Sequence, residues 1–90
     1  MDCYTGDGRN YIGHVNKTAD GTDCQAWAMQ LPHGHKFNDD QLPDKSLEKA
    51  KNYCRNPKPL MGPYTAKAPW CFTVNNASKT GICNIEKCGK

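Results

Sequence analysis

Asn52-Tyr53-Cys54-Arg55-Asn56-Pro57, answered by Ala68-Pro69-Trp70-Cys71-Phe72, is the stretch on which the fold turns. Each segment sets a cysteine beside an aromatic ring and a proline, whose ring locks φ at about −65°. A chain too small for a large apolar core builds its centre from such combinations. Cys3 and Cys24 precede the pair, and Cys83 and Cys88 follow it.

The chain has 90 residues, and 37% of them are hydrophobic when the six cysteines are included. That length corresponds to one domain, residues 1–90. A chain of this size buries only about 60–65% of the surface its unfolded form exposes, so covalent staples are expected. None of the cysteines forms a Cys-x-x-Cys pair, which removes the tight turns that zinc ribbons use to bite a metal. An even number of widely spaced cysteines reads instead as a disulfide framework from an oxidising compartment, that is, extracellular. Six cysteines allow fifteen pairings, and spacing alone does not choose among them.

The net charge of +3 is unevenly spread. Residues 1–44 carry three basic groups (Arg9, Lys17, Lys36) against seven acids, whereas residues 45–67 carry six basic groups against Glu48 alone. A basic second half attracts anions or forms a solvated face. No apolar run approaches the roughly 20 residues of a membrane span, so no membrane insertion is expected. Met1-Asp2-Cys3 enters the cysteine framework at once with no signal peptide, as expected of a module excised from a larger extracellular protein.

Along the chain, Thr5-Gly6-Asp7-Gly8 and Ala19-Asp20-Gly21-Thr22 read as turns, and Tyr11-Ile12-Gly13 as a short strand or bend. Asn16-Lys17-Thr18 and Asn76-Ala77-Ser78 match the glycan acceptor pattern, making Asn16 and Asn76 the candidate sites of a glycoprotein. Trp27, three residues after Cys24, is placed to cover a disulfide with apolar surface. His33 and His35 have chelating spacing, but no spare carboxylate or thiol lies nearby. They read as structural, and no metal or other cofactor is expected. Residues 43–53 carry the single helical suggestion, Leu47, Ala50 and Tyr53, with Pro43-Asp44 as a start signal. Pro57, Pro59, Pro63 and Pro69 forbid regular helix up to Trp70. Trp70 to Val74 has strand character, Asn75-Asn76 turns the chain, and Ile82-Cys83-Asn84-Ile85 is placed to return as a hairpin. The fold class is therefore small and disulfide-rich: loop-rich, with short antiparallel β pieces and at most one short helical segment.

The order Cys3-Tyr4, Tyr11-x-Gly13, Cys24-x-x-Trp27, Pro32-His33-x-His35, Asn52-Tyr53-Cys54-Arg55-Asn56-Pro57, Pro69-Trp70-Cys71-Phe72, Cys83 and Cys88 resembles the kringle family over nearly the whole chain. The resemblance implies the pairing Cys3–Cys88, Cys24–Cys71 and Cys54–Cys83. It also implies a non-catalytic binding module, often with a shallow site for a lysine side chain. In such a site an aromatic trough takes the methylenes, two acids meet the ammonium, and bases meet the carboxylate. The acids belong directly after Cys-Arg-Asn-Pro, where this chain has Lys58 and Leu60. Trp70 and Phe72 match two aromatic positions, the third falls at Thr80, Lys79 matches one cationic position, and its companion falls at Phe37. No acid occurs between Glu48 and Glu86, so only Asp39, Asp40 or Asp44 is available to replace the missing pair.

The expected function is a protein-interaction module without a working lysine site, monomeric as an isolated domain. Its Pro-His-x-His segment is similar to kringles of growth-factor or receptor-kinase ectodomains. The alternatives are a structural spacer, or binding of a sulfated, heparin-like glycan or acidic protein surface through Lys49, Lys51, Arg55, Lys58, Lys67 and Lys79. Nucleic acid is not an expected partner, because no readout element is legible. No catalytic residues are legible either; any protease or kinase domain would belong to a parent protein.

Overall fold

Two short strands, β2 (Trp70–Phe72) and β3 (Thr80–Ile82), form the antiparallel ladder at the centre, pairing Trp70 with Ile82 and Phe72 with Thr80. The computed structural model describes residues 3–58 and 66–89. Around that ladder run β1 (Cys3–Tyr4), a 3-10 turn (Asp39–Gln41), a single α-helical turn α1 (Leu47–Ala50) and β4 (Glu86–Lys87). The two motif segments touch directly: Arg55 and Trp70 exchange both backbone hydrogen bonds, at 3.0 and 2.8 Å. A further antiparallel bridge joins Cys24 to Thr73.

All three disulfides implied by the resemblance are present: Cys3–Cys88, Cys24–Cys71 and Cys54–Cys83. The last two meet at the middle, where the Cys24 and Cys54 sulfurs are 3.8 Å apart. Four sulfurs thus lie close together, but each is spent in a bond, so the cluster is covalent cross-linking and not a metal site. Trp27 is buried against this centre, with its ring edge-on to Trp70 at 5.4 Å and to Phe72 at 5.8 Å. Its indole N–H donates to the Tyr53 carbonyl at 2.7 Å, which satisfies the one polar atom that burial would otherwise strand. Leu42, Ala50 and Tyr11 complete the core.

The structure corrects several local expectations. The helical turn starts at Ser46, whose side chain caps Lys49 N–H, and not at Pro43-Asp44; Asp44 is occupied elsewhere. An additional 3-10 turn precedes it, capped by a reciprocal box between Asn38 and Gln41. The hairpin returns through Thr80–Ile82, earlier than Ile82–Ile85, because Thr73 N–H bonds to Lys79 and shortens the connection. The chain ends pair in parallel, Cys3 beside Glu86, so not every β piece is antiparallel. Tyr11-Ile12-Gly13 forms no strand; Tyr11 turns inward and its hydroxyl accepts from Val15 N–H.

Both sequence-predicted turns form. In the second, Thr18 and Thr22 donate to the Asp20 carboxylate and hold its pKa below the usual value of 3.8. In the first, Gly8 has φ +85°, and a Cβ there would lie 2.6 Å from Pro69 Cδ. Left-handed backbone and backbone-to-ring contact both demand glycine at that point. Gly8→Ala is expected to cost about 1–3 kcal/mol, and urea denaturation of the oxidised chain measures it.

Candidate functional site

The sequence Cys54-Arg55-Asn56-Pro57 is a structural keystone before it is a binding element. Arg55 is 1% exposed, and its guanidinium meets Asp44 in a two-pronged ion pair, Nε to Oδ1 at 2.8 Å and Nη2 to Oδ2 at 3.0 Å. Nη1 donates to the carbonyls of Gly13 and Cys54, and the rings of Tyr11 and Tyr53 lie 5.5 and 5.4 Å from the guanidinium carbon. Asn56, also buried, donates through Nδ2 to the Asp7 and Ala66 carbonyls and accepts from the Trp70 indole at 3.2 Å. The motif therefore fixes both the opening turn and the Trp70 strand from one buried point.

That burial removes Arg55 from the set of anion-binding candidates and Asp44 from the acids available to a ligand, because each neutralises the other inside the protein. Lys58, directly after the motif, is exposed and held by two bonds to Gln41, its N–H donating to the Gln41 carbonyl at 2.9 Å and its carbonyl accepting from Gln41 Nε2 at 2.6 Å. The 3-10 turn with Asp39 and Asp40 is thereby fastened beside Lys58. Asp39 accepts from Leu47 N–H at 2.7 Å and so serves α1, whereas Asp40 lines the same cavity as Lys58. Leu60 lies outside the described residues.

The aromatic side of the candidate site is closed. Trp70 is 4% exposed and Phe72 1%. Their rings pack 5.1 Å apart, and Phe37 covers them at 6.0 and 6.2 Å. The imidazole of His35 stacks on Phe72 at 5.2 Å with planes only 12° apart. His35 donates from Nε2 to the Trp27 carbonyl when its Nδ1 accepts from Phe37 N–H, and this assignment fixes the ring as an aromatic lid. His33 reaches the Asn75 carbonyl, so both histidines serve the backbone. Lys79 and Thr80 are exposed at the outer end of the hairpin, with Thr80 paired to Phe72.

A kringle-domain family model matches residues 3–88. The chain belongs to the kringle family. Over its full length this kringle is 36% identical to a plasminogen from Capra hircus, of which it covers 67%. The family is a non-catalytic module that mediates protein interactions, and three disulfides in such a module place it in the extracellular space. No helix among the described residues is long and apolar enough to cross a membrane.

Of the remaining basic candidates of this kringle, Lys51 and Lys58 line different cavities. Lys49 and Lys67 are exposed, and Lys51 lines a shallow groove with Met29, Leu31 and Val74, whereas Lys58 lines a different cavity with Arg9 and Lys45. Charge counting along the sequence grouped Lys51 with Lys58, which line different cavities, and with Arg55, which is buried. It also passed over Lys45 and Gln41, and counted Arg9 only as a charge of the first half, because spacing offered no signal that these residues meet. The acceptor residues Asn16 and Asn76 are both exposed, although Thr18 of the first acceptor is buried.

Proposed function

We propose that this kringle is a protein-recognition module of a larger extracellular protein and has no working lysine site. The observation that carries the reading is Lys58, which stands where a lysine ligand's ammonium needs a carboxylate and presents a like charge instead. The closed aromatic side supports it, since Trp70 and Phe72 have almost no surface left for a ligand's methylenes.

Titration of the oxidised chain with 6-aminohexanoic acid, followed by amide NMR, tests this reading. No saturable shift is expected at Trp70, Phe72 or Thr80 up to millimolar ligand. Lys58→Asp should not restore binding on its own, because charge reversal leaves the rings buried. Saturable shifts at Trp70 and Phe72 in the unmodified chain would refute the reading.

A further inference from the structure

Arg9, Lys45 and Lys58 come from three separated segments and line one cavity of about 210 Å³, together with Asn10, Asp40, Gln41, Leu42 and Pro43. We propose that this cavity receives a carboxylate from an acidic side chain of a partner protein. The proposal rests on the reading of this kringle as a protein-recognition module and names the chemistry that it recognises.

The frame of the cavity is fixed from beneath. Asn56 ties the Arg9 segment to the Lys58 segment through the Asp7 carbonyl, and Gln41 ties Lys58 to the 3-10 turn. The buried Arg55–Asp44 pair joins the same two segments, and Lys45, with φ +61°, donates its N–H to Leu42 at 3.0 Å. Arg9 is oriented by Asp7, which takes its Nε at 2.8 Å; that contact is the leading cause of the lowered Asp7 pKa. Positions held this way lose little freedom when a ligand arrives.

Charge then selects the ligand. Arg9 is already paired with Asp7, so Lys45 and Lys58, with the Asn10 amide, face one further acid, Asp40. Among the described residues three ion pairs occur, Arg9–Asp7, Lys17–Asp23 and Arg55–Asp44, and none of them occupies Lys45 or Lys58. An ammonium ligand would meet this excess of positive charge, whereas a carboxylate is drawn to it. Size and the position of Asp40 favour a single acidic side chain over a sulfated glycan. The volume lies below the roughly 300–1,000 Å³ of ordinary ligand pockets, and a chain of closely spaced sulfates would place further negative charge against Asp40.

The test is an amide NMR titration of the oxidised chain with N-acetyl-Glu-Glu-amide, and in parallel with a heparin hexasaccharide. Saturable shifts are expected at Arg9, Asn10, Lys45 and Lys58 with the peptide. Lys58→Gln and Lys45→Asn should each weaken binding about tenfold, the effect of losing one charge-assisted contact. Asparagine is chosen at position 45 because it tolerates the left-handed backbone. Lys49→Gln and Lys51→Gln should leave binding unchanged. Absence of saturable shifts at the cavity overturns the proposal. Tighter heparin binding that is lost with Lys49→Gln or Lys51→Gln overturns it as well. Shifts at Trp70 and Phe72 with 6-aminohexanoic acid would refute the wider reading without touching the peptide result, so the two failures are separable.

Discussion

Asp44→Ala is expected to lower the unfolding free energy by about 3–5 kcal/mol, although residue 44 lies outside both cysteine motifs. Arg55 cannot leave the interior when its partner is removed, because its side chain is 1% exposed and threaded between Tyr11 and Tyr53. A buried guanidinium without its counter-charge then carries most of the cost. The carbonyls of Gly13 and Cys54 stay in place and place the effect toward the lower end of the range. For a chain of this length the change corresponds to a fall in Tm of roughly 4–8 °C per kcal/mol. Arg55→Met should be less costly than Asp44→Ala, since the orphan is then Asp44, whose side chain is 11% exposed and reaches some water. The double variant Asp44→Leu with Arg55→Met should be more stable than Asp44→Ala alone, as expected when a buried ion pair is replaced by apolar packing. Thermal and urea unfolding of the three oxidised variants measure these differences. A loss below about 1 kcal/mol for Asp44→Ala would mean that the pair is solvated and the keystone assignment wrong.

The same pair shows what a sequence reader can and cannot extract from this chain. Cys54, Cys71, Trp70 and Phe72 sit in motifs whose local chemistry already implies burial, so the centre of the fold was legible. Asp44 and Arg55 were read as independent charges, because nothing in their spacing reveals that a loop brings them within 2.8 Å. Charge counts treat every base as exposed, and Arg55 was therefore grouped with Lys49, Lys51 and Lys58. The aromatic trough failed to open for a related reason. All three residues of β2 are buried, so strand alternation gives no guide to which ring would face a ligand. The cavity depends on three segments meeting, and two of its cations, Arg9 and Lys45, looked unremarkable in their own segments. Gln41, which closes the Asn38 cap and also clamps Lys58, was not singled out in the sequence.

Removal of the Cys54–Cys83 bridge, as Cys54→Ala with Cys83→Ala, is expected to damage the fold far more than removal of Cys3–Cys88. The chain-entropy model assigns this bridge, with a sequence separation of 29, about 3.5 kcal/mol. By the same model Cys3–Cys88, with a separation of 85, would matter more, but the difference is only about 1 kcal/mol because closure entropy grows logarithmically. Packing reverses that order. Cys54 is fully buried and Cys83 is 5% exposed, whereas Cys3 and Cys88 are only half-buried and join two-residue strands. Losing two core sulfurs beside Cys24 leaves a void where the central bridges meet, adding roughly 2 kcal/mol to the entropic loss. The total approaches the stability of a domain this size, about 5–13 kcal/mol, so the variant should be largely unfolded at 37 °C or close to it. The chain lacking Cys3–Cys88 should keep the Trp27 and Trp70 environment and lose order only at its ends. Near-ultraviolet circular dichroism and amide hydrogen exchange separate these outcomes. Greater loss of tertiary signal on removing Cys3–Cys88 than on removing Cys54–Cys83 would show that loop entropy, and not the packed sulfur centre, governs the stability of this kringle.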